Sequence, residues 1–149
     1  IQGIVQMVRL SAAGVRDTAR GLRNLAPHYV PAFGLRGSLA AMTREGEFEA
    51  AQRLYPADCD ISRVVAARVF LTMSSYSPGR KAAKVKAPWL IQIASRDVTT
   101  PPGPARSAAR RAPEPTLIEY DAGHFDPYVP PLFDRVVGDQ ISFLRSHLR

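Results

Sequence analysis

The stretch that decides the fold is PWLIQIASRDVTTPPGPARSAARRAPEPTLIEYDAGHFDPYV (88–129). Its first apolar run, PWLIQIA (88–94), stops at Ser95-Arg96-Asp97; its second, TLIEY (116–120), stops at Asp121-Ala122-Gly123-His124. Between them VTTPPGP (98–104) offers a capping threonine and prolines suited to a first helical turn, which predicts a helix over about 101–112. Strand, helix and strand in that order read as a parallel pair joined by a crossover, with the carboxyl ends of both strands on one edge of the sheet. Asp97 and His124 are therefore expected to meet.

A carboxylate facing Nδ1 of an imidazole fixes its tautomer and stabilises the imidazolium that forms when Nε2 takes a proton from a nucleophile. Asp126, two residues past the histidine, is the competing acid, but a contact that local orients the ring poorly, so Asp97 is preferred. The nucleophile is not evident. No G-x-S-x-G occurs in the chain, and Ser38 in LRGSLAAM (35–42) has neither the preceding strand nor the glycines of such an elbow, so it reads as a turn or capping serine. Phe125 and Tyr128 flank the histidine and are expected to shape a substrate pocket.

The segments KVKAPWLIQIASRDVTTPP (84–102), YDAGHFDPYV (120–129) and FDRVVGDQISFLRSHL (133–148) resemble the C-terminal half of an α/β-hydrolase, in the manner of bacterial esterases, thioesterases and dienelactone-hydrolase-like members. The resemblance implies an α/β fold, with Asp97 matching the family's acid and His124 its base in the order nucleophile, acid, histidine. It also implies that residues 1–83 form a helical lid (cap) and residues 84–149 the C-terminal strands and helices of the hydrolase core. The opening IQGIVQMVRL has no initiator methionine and no signal-peptide pattern. The nucleophile and oxyanion hole are thus expected from an upstream half of the same fold. A non-catalytic binding or assembly piece with vestigial triad residues is the rival reading.

Composition narrows the alternatives. The 149 residues, 46% of them hydrophobic, make disorder an unsuitable description. One cysteine, Cys59, leaves no intramolecular disulfide and suggests a reducing, cytoplasmic setting; flanked by two acids, it is a poor candidate nucleophile. The net charge of +7 comes from arginines scattered over several helices, without a nucleic-acid-binding motif, so no nucleic-acid partner is expected. No apolar run is long enough to span a membrane. His28, His124 and His147 form no metal-binding pair, and no phosphate-cradling loop is present. Neither a metal nor a nucleotide cofactor is therefore expected, and the anticipated partner is a small ester-type substrate.

Upstream, Val5, Val8, Ala12, Val15 and Ala19 recur at helical spacing, which predicts a helix over about 5–25 that ends before Pro27. Further helices are predicted over about 38–54 and 62–75, the latter capped by Asp60 or Ser62. Tyr29, Phe33, Met42, Phe48, Tyr55, Phe70 and Tyr76 are read chiefly as the core of this region, with a pocket lining as the alternative. At the other end Phe133, Val136, Val137, Ile141, Leu144 and Leu148 form one stripe, the pattern of a helix packed on a sheet. Trp89 is read as core.

Overall fold

A computed structural model describes residues 2–55 and 62–148. Cys59 and the cap assigned to Asp60 fall outside the described residues. The chain divides into two compact units, the first ending at Tyr76 and the second beginning at Ser77.

The first unit opens with helix α1, Gln2–Gly21. It stops earlier than periodicity predicts, in a turn where Asn24 takes a positive φ of 55°. Strand β1 (Tyr29–Pro31) pairs antiparallel with β2 (Val64–Ala66), Val30 opposite Val65. The buried core is small: Leu10, Ala13, Val30 and Ala67, with Leu39, Val65 and Phe70 packed against it. Gly14 permits the helix to approach the segment after β2, since a Cβ there would lie 3.0 Å from the Ala67 carbonyl oxygen and 2.9 Å from Leu71 Cγ.

Asp17 holds these parts together. Fully buried, it accepts hydrogen bonds from the backbone N–H of His28 (2.7 Å) and of Arg68 (2.9 Å), and from Arg68 Nε (2.8 Å) and Nη2 (3.0 Å). The Arg68 side chain, with smaller help from the two amides, outweighs the cost of burial and holds this carboxyl well below the usual carboxylate range.

Two predicted helices are corrected here. Over 38–54 only α2, Glu47–Gln52, is helical. Gly46 before it adopts φ 79°, and Gly37 adopts φ 85°, left-handed conformations that no helix interior contains. The intervening backbone bonds elsewhere: Ala41 N–H donates to Pro31 O and Met42 N–H to Ala32 O. Over 62–75 the chain forms β2 and then 3-10 turns at Ala67–Leu71 and Met73–Ser75. The β-branched Val64-Val65 finds an edge on β1, and Asp17 captures the Arg68 amide, so neither is free to start an α-helix.

The second unit follows its predicted order. Strands β3 (Trp89–Ala94) and β4 (Pro115–Tyr120) pair in parallel, Ile91 opposite Leu117 and Ala94 opposite Tyr120, with α3 (Gly103–Ala109) between them in sequence. Ile91 and Ile93 cluster with Ala109, with the half-buried Trp89 and Ala105 packed beside them. Tyr120 and Ala122 cluster with Val136 of helix α4, Leu132–His147, along with Ala94, Ile118 and Leu132. The two clusters lie on opposite faces of the strand pair, as the alternation of side chains requires.

The apolar stripe of α4 is not buried as a whole. Val136 is 7% exposed, but Phe133, Ile141 and Leu144 are 42–48% exposed and Leu148 is 70% exposed. A two-stranded sheet offers surface for one end of a 16-residue helix and little beyond it.

Candidate active site

Parallel pairing continues past both strands and delivers the two loops to one place. Ser95 N–H donates to Tyr120 O at 2.8 Å and Arg96 N–H to Ala122 O at 3.0 Å, so the residues after β3 are zipped onto those after β4. Arg96 reinforces the join through its exposed pair with Asp121. The next residue, Asp97, meets His124: Oδ2 lies 2.7 Å from Nδ1.

Each oxygen of Asp97 has its own task. Oδ1 accepts the backbone N–H groups of Thr99 (2.8 Å) and Thr100 (2.7 Å), the pattern expected of an aspartate that opens a turn before a Thr-Pro pair. Oδ2 faces the imidazole and also accepts the Thr100 hydroxyl at 2.6 Å. Turn-forming and histidine-orienting roles are thus compatible in one residue. Burial pushes the Asp97 carboxyl up, but hydrogen bonds from the Thr100 hydroxyl, His124 and the Thr100 amide outweigh it and hold it below its ordinary value.

Asp126 turns away from this contact. Its Oδ2 accepts the Gly123 N–H at 2.7 Å, bracing the loop that carries His124 from the other side. A Cβ on Gly123 would stand 3.3 Å from that oxygen, tighter than ordinary contact, so the close brace favours glycine. Phe125 is buried and packs edge-on against the imidazole with ring centroids 4.7 Å apart, whereas Tyr128 is exposed.

A cavity of about 580 Å³ opens beside the pair, lined by Ala94, Thr100, Tyr128, Phe133, Val137 and Gln140 together with Asp97 and His124. Phe125 is not on its wall. Its floor is pinned by a polar network. Gln92 Nε2 donates to Tyr120 Oη (2.7 Å) and Val136 O (3.0 Å), Tyr120 Oη donates to Asp139 Oδ2 (2.7 Å), and Gln140 Nε2 donates to Gln92 Oε1 (2.8 Å). Burial, then the Asp139 acceptor, push the Tyr120 phenol up, so it stays a donor. On the opposite face of the sheet Arg106 of α3 grips Glu119 of β4 through two bonds of 2.9 and 2.6 Å, tying the crossover helix to the strand that leads to the histidine.

Sequence reading expects Asp97 and His124 to meet, and they do, but it passes over Thr100, treated there only as part of a helix start. The available signal was the spacing Asp-x-x-Thr, which places a hydroxyl back at the carboxylate across a tight turn. No group of three or more His, Cys, Asp or Glu side chains able to hold a metal ion occurs among the described residues. None of the described helices is long and apolar enough to cross a membrane.

No protein-family model matches the chain. It is 30% identical over 141 residues to the quorum-quenching protein AidA of Acinetobacter baumannii (strain MDR-ZJ06), an alignment that covers 95% of this chain and 46% of AidA. It is also 35% identical over 85 residues to an uncharacterised 31.7 kDa protein of the traX-finO intergenic region of Escherichia coli, covering 53% of this chain and 30% of that one. The chain therefore spans less than half the length of these curated relatives. Among solved structures it matches DcsB, determined with a substrate analogue, at a TM-score of 0.73 and 19% identity, over 96% of this chain and 51% of DcsB. It matches the α/β-hydrolase GrgF of Penicillium sp. sh18 at a TM-score of 0.67 and 17% identity, over 96% of this chain and 50% of GrgF. At such identities the likeness is one of fold, and the fold is that of the C-terminal half of an α/β-hydrolase.

Proposed function

We propose that the chain is the acid-and-base half of a serine hydrolase that cleaves ester-type or thioester-type bonds by acyl transfer. The observation that carries this reading is the 2.7 Å contact between Asp97 Oδ2 and His124 Nδ1 at the carboxyl ends of adjacent parallel strands. Asp97 keeps the proton on Nδ1 and leaves Nε2 as the basic nitrogen. Nε2 takes the hydroxyl proton of a serine as its oxygen bonds to the substrate carbonyl carbon. The imidazolium then returns that proton to the departing alcohol or thiol as the ester or thioester bond breaks, and water repeats the sequence to free the acid.

The serine and the oxyanion-hole donors are assigned to an upstream half of the same fold, because no G-x-S-x-G lies in these 149 residues and the relatives are roughly twice as long. Residues 1–83 serve as the lid and Tyr128 as part of the substrate wall, with Phe125 supporting the imidazole. The single cysteine agrees with a cytoplasmic setting. AidA's designation as quorum-quenching favours a signalling molecule as the ester-type substrate. The missing elbow equally favours a second reading, a non-catalytic hydrolase-like binding piece.

Fluorophosphonate labelling separates these readings. The 149-residue chain alone is expected to take no label, whereas the protein that includes the upstream half is labelled at a serine outside these residues, and His124→Ala abolishes that labelling. A labelled serine within the 149 residues overturns the assignment of the nucleophile; an unlabelled longer protein supports the non-catalytic reading.

A further inference from the structure

Around the Asp97–His124 contact, one side chain has no part in the proton relay described above and yet touches both members. Thr100 Oγ1 lies 2.6 Å from Asp97 Oδ2 and 3.2 Å from His124 Nδ1. Its single hydroxyl proton is directed to the carboxylate, the shorter and charge-assisted bond. The lone pairs of the same oxygen then face Nδ1, so in the Nδ1–H tautomer of the proposed acid–base pair that proton is shared between Asp97 Oδ2 and Thr100 Oγ1. Carboxylate, hydroxyl and imidazole close a three-membered ring of hydrogen bonds.

We infer that Thr100 is a positioning residue that clamps the carboxylate of Asp97 against His124 and holds the imidazole in its Nδ1–H form. The inference rests on the acid–base reading of the pair given above. The backbone alone does not supply this clamp. The Thr99 and Thr100 amides fix Oδ1, which leaves the carboxylate able to pivot about that oxygen and swing Oδ2 away from the ring. The Thr100 hydroxyl fastens the second oxygen, and four donors then fill the carboxylate. The neighbouring charged groups are engaged elsewhere: Arg96 with Asp121, and Asp126 with the Gly123 amide. They do not substitute for the hydroxyl.

The alternative is that Thr100 only shapes the turn before α3. Replacement by valine separates the two, because it preserves the backbone amide and nearly all of the side-chain volume while removing the oxygen. Replacement by serine restores the oxygen.

The test is nuclear magnetic resonance of the chain labelled with ¹³C at aspartate and ¹⁵N at histidine, which needs no substrate. Thr100→Val is expected to raise the titration midpoint of Asp97 and to make the Nδ1 proton of His124 exchange with water about five- to tenfold faster, the scale of one lost net hydrogen bond. Thr100→Ser is expected to keep both properties of the unmodified chain. An unchanged Asp97 midpoint with unchanged exchange in Thr100→Val overturns the inference, and so does a Thr100→Ser variant that behaves like Thr100→Val. Because neither readout involves turnover, their failure is distinct from failure of the hydrolase reading, which the loss or persistence of activity in His124→Ala decides.

Discussion

The two units of this chain are held together in opposite ways. The first is built on small residues and one ion pair around a buried aspartate: Ala13, Ala67 and Val30 fill its core, and Asp17 joins α1 to His28 and Arg68, which flank one end of the β1–β2 pair. The second is built on a parallel ladder with apolar clusters on both faces, and its polar groups converge at the end of that ladder. A ladder transmits its register into the following loops, so Ser95 and Arg96 pair onward and set Asp97 beside His124. The ion pair transmits no register; it fixes one point. The candidate site lies where the backbone geometry is propagated.

That contrast is most severely tested by turnover. In a longer protein with the upstream half proposed to supply the serine, His124→Ala and Asp97→Asn are each expected to lower kcat by on the order of 10⁴-fold with little change in KM, the scale seen when triad members are lost. Asp126→Asn, which touches only the loop brace, is expected to cost far less. Steady-state kinetics check the ranking, and an Asp126→Asn variant more damaged than Asp97→Asn reverses the assignment of the acid.

Removal of the ion pair is the corresponding stress on the first unit. Asp17→Ala leaves the Arg68 guanidinium and the His28 and Arg68 amides without their acceptor, and a fall of several degrees in the melting temperature of that unit is expected. The Asp97–His124 resonances should persist in the same variant. If they vanish together with the first unit, the two are not separable in the way described.

A smaller effect sharpens the account of α4. Val136→Ala empties part of a packed cluster and is expected to destabilise the second unit by about 2 kcal/mol, whereas Leu144→Ala on the exposed part of the stripe is expected to cost less than about 0.5 kcal/mol. Urea unfolding of each variant measures the difference. Equal costs would mean that Leu144 is covered in solution.

Acid supplies the mildest perturbation. Both Asp17 and Asp97 have folded-state values below the usual 3.8, so each contributes stability that is fully present above that pH and is lost as pH falls through its folded value. Asp17 is depressed much further. Its contribution continues to decline at acidities where that of Asp97 is already exhausted. Acid unfolding followed separately at the two aspartates should show the Asp97 contribution disappear first.

The strand–acid–helix–strand–histidine order was legible because every element of the second unit has a local signature: β-rich apolar runs of six residues, prolines at the start of α3, and a polar residue at each strand end. That Asp97 rather than Asp126 meets His124 was legible for the same reason, since parallel strands bring their carboxyl ends together. Thr100 was not, because its role depends on which way a carboxylate rotates inside a turn. The helices expected over 38–54 and 62–75 failed for a complementary reason. Their apolar spacing suits a helix, but the amides of Ala41 and Met42 found acceptors at the end of β1 and on the residue after it, and Arg68 found Asp17, 51 residues away.

The sequence by itself determined the elements whose hydrogen bonds are closed within a segment or along a strand pair, and with them the edge at which Asp97 and His124 emerge. Only the tertiary structure decided where α1 stops, that Val64–Ala66 is a strand, how little of the α4 stripe is covered, and that Asp126 braces a loop while Thr100 fastens the acid. Those outcomes depend on partners far apart in the chain or on the orientation of one side chain, and neither leaves a periodic trace in the order of residues.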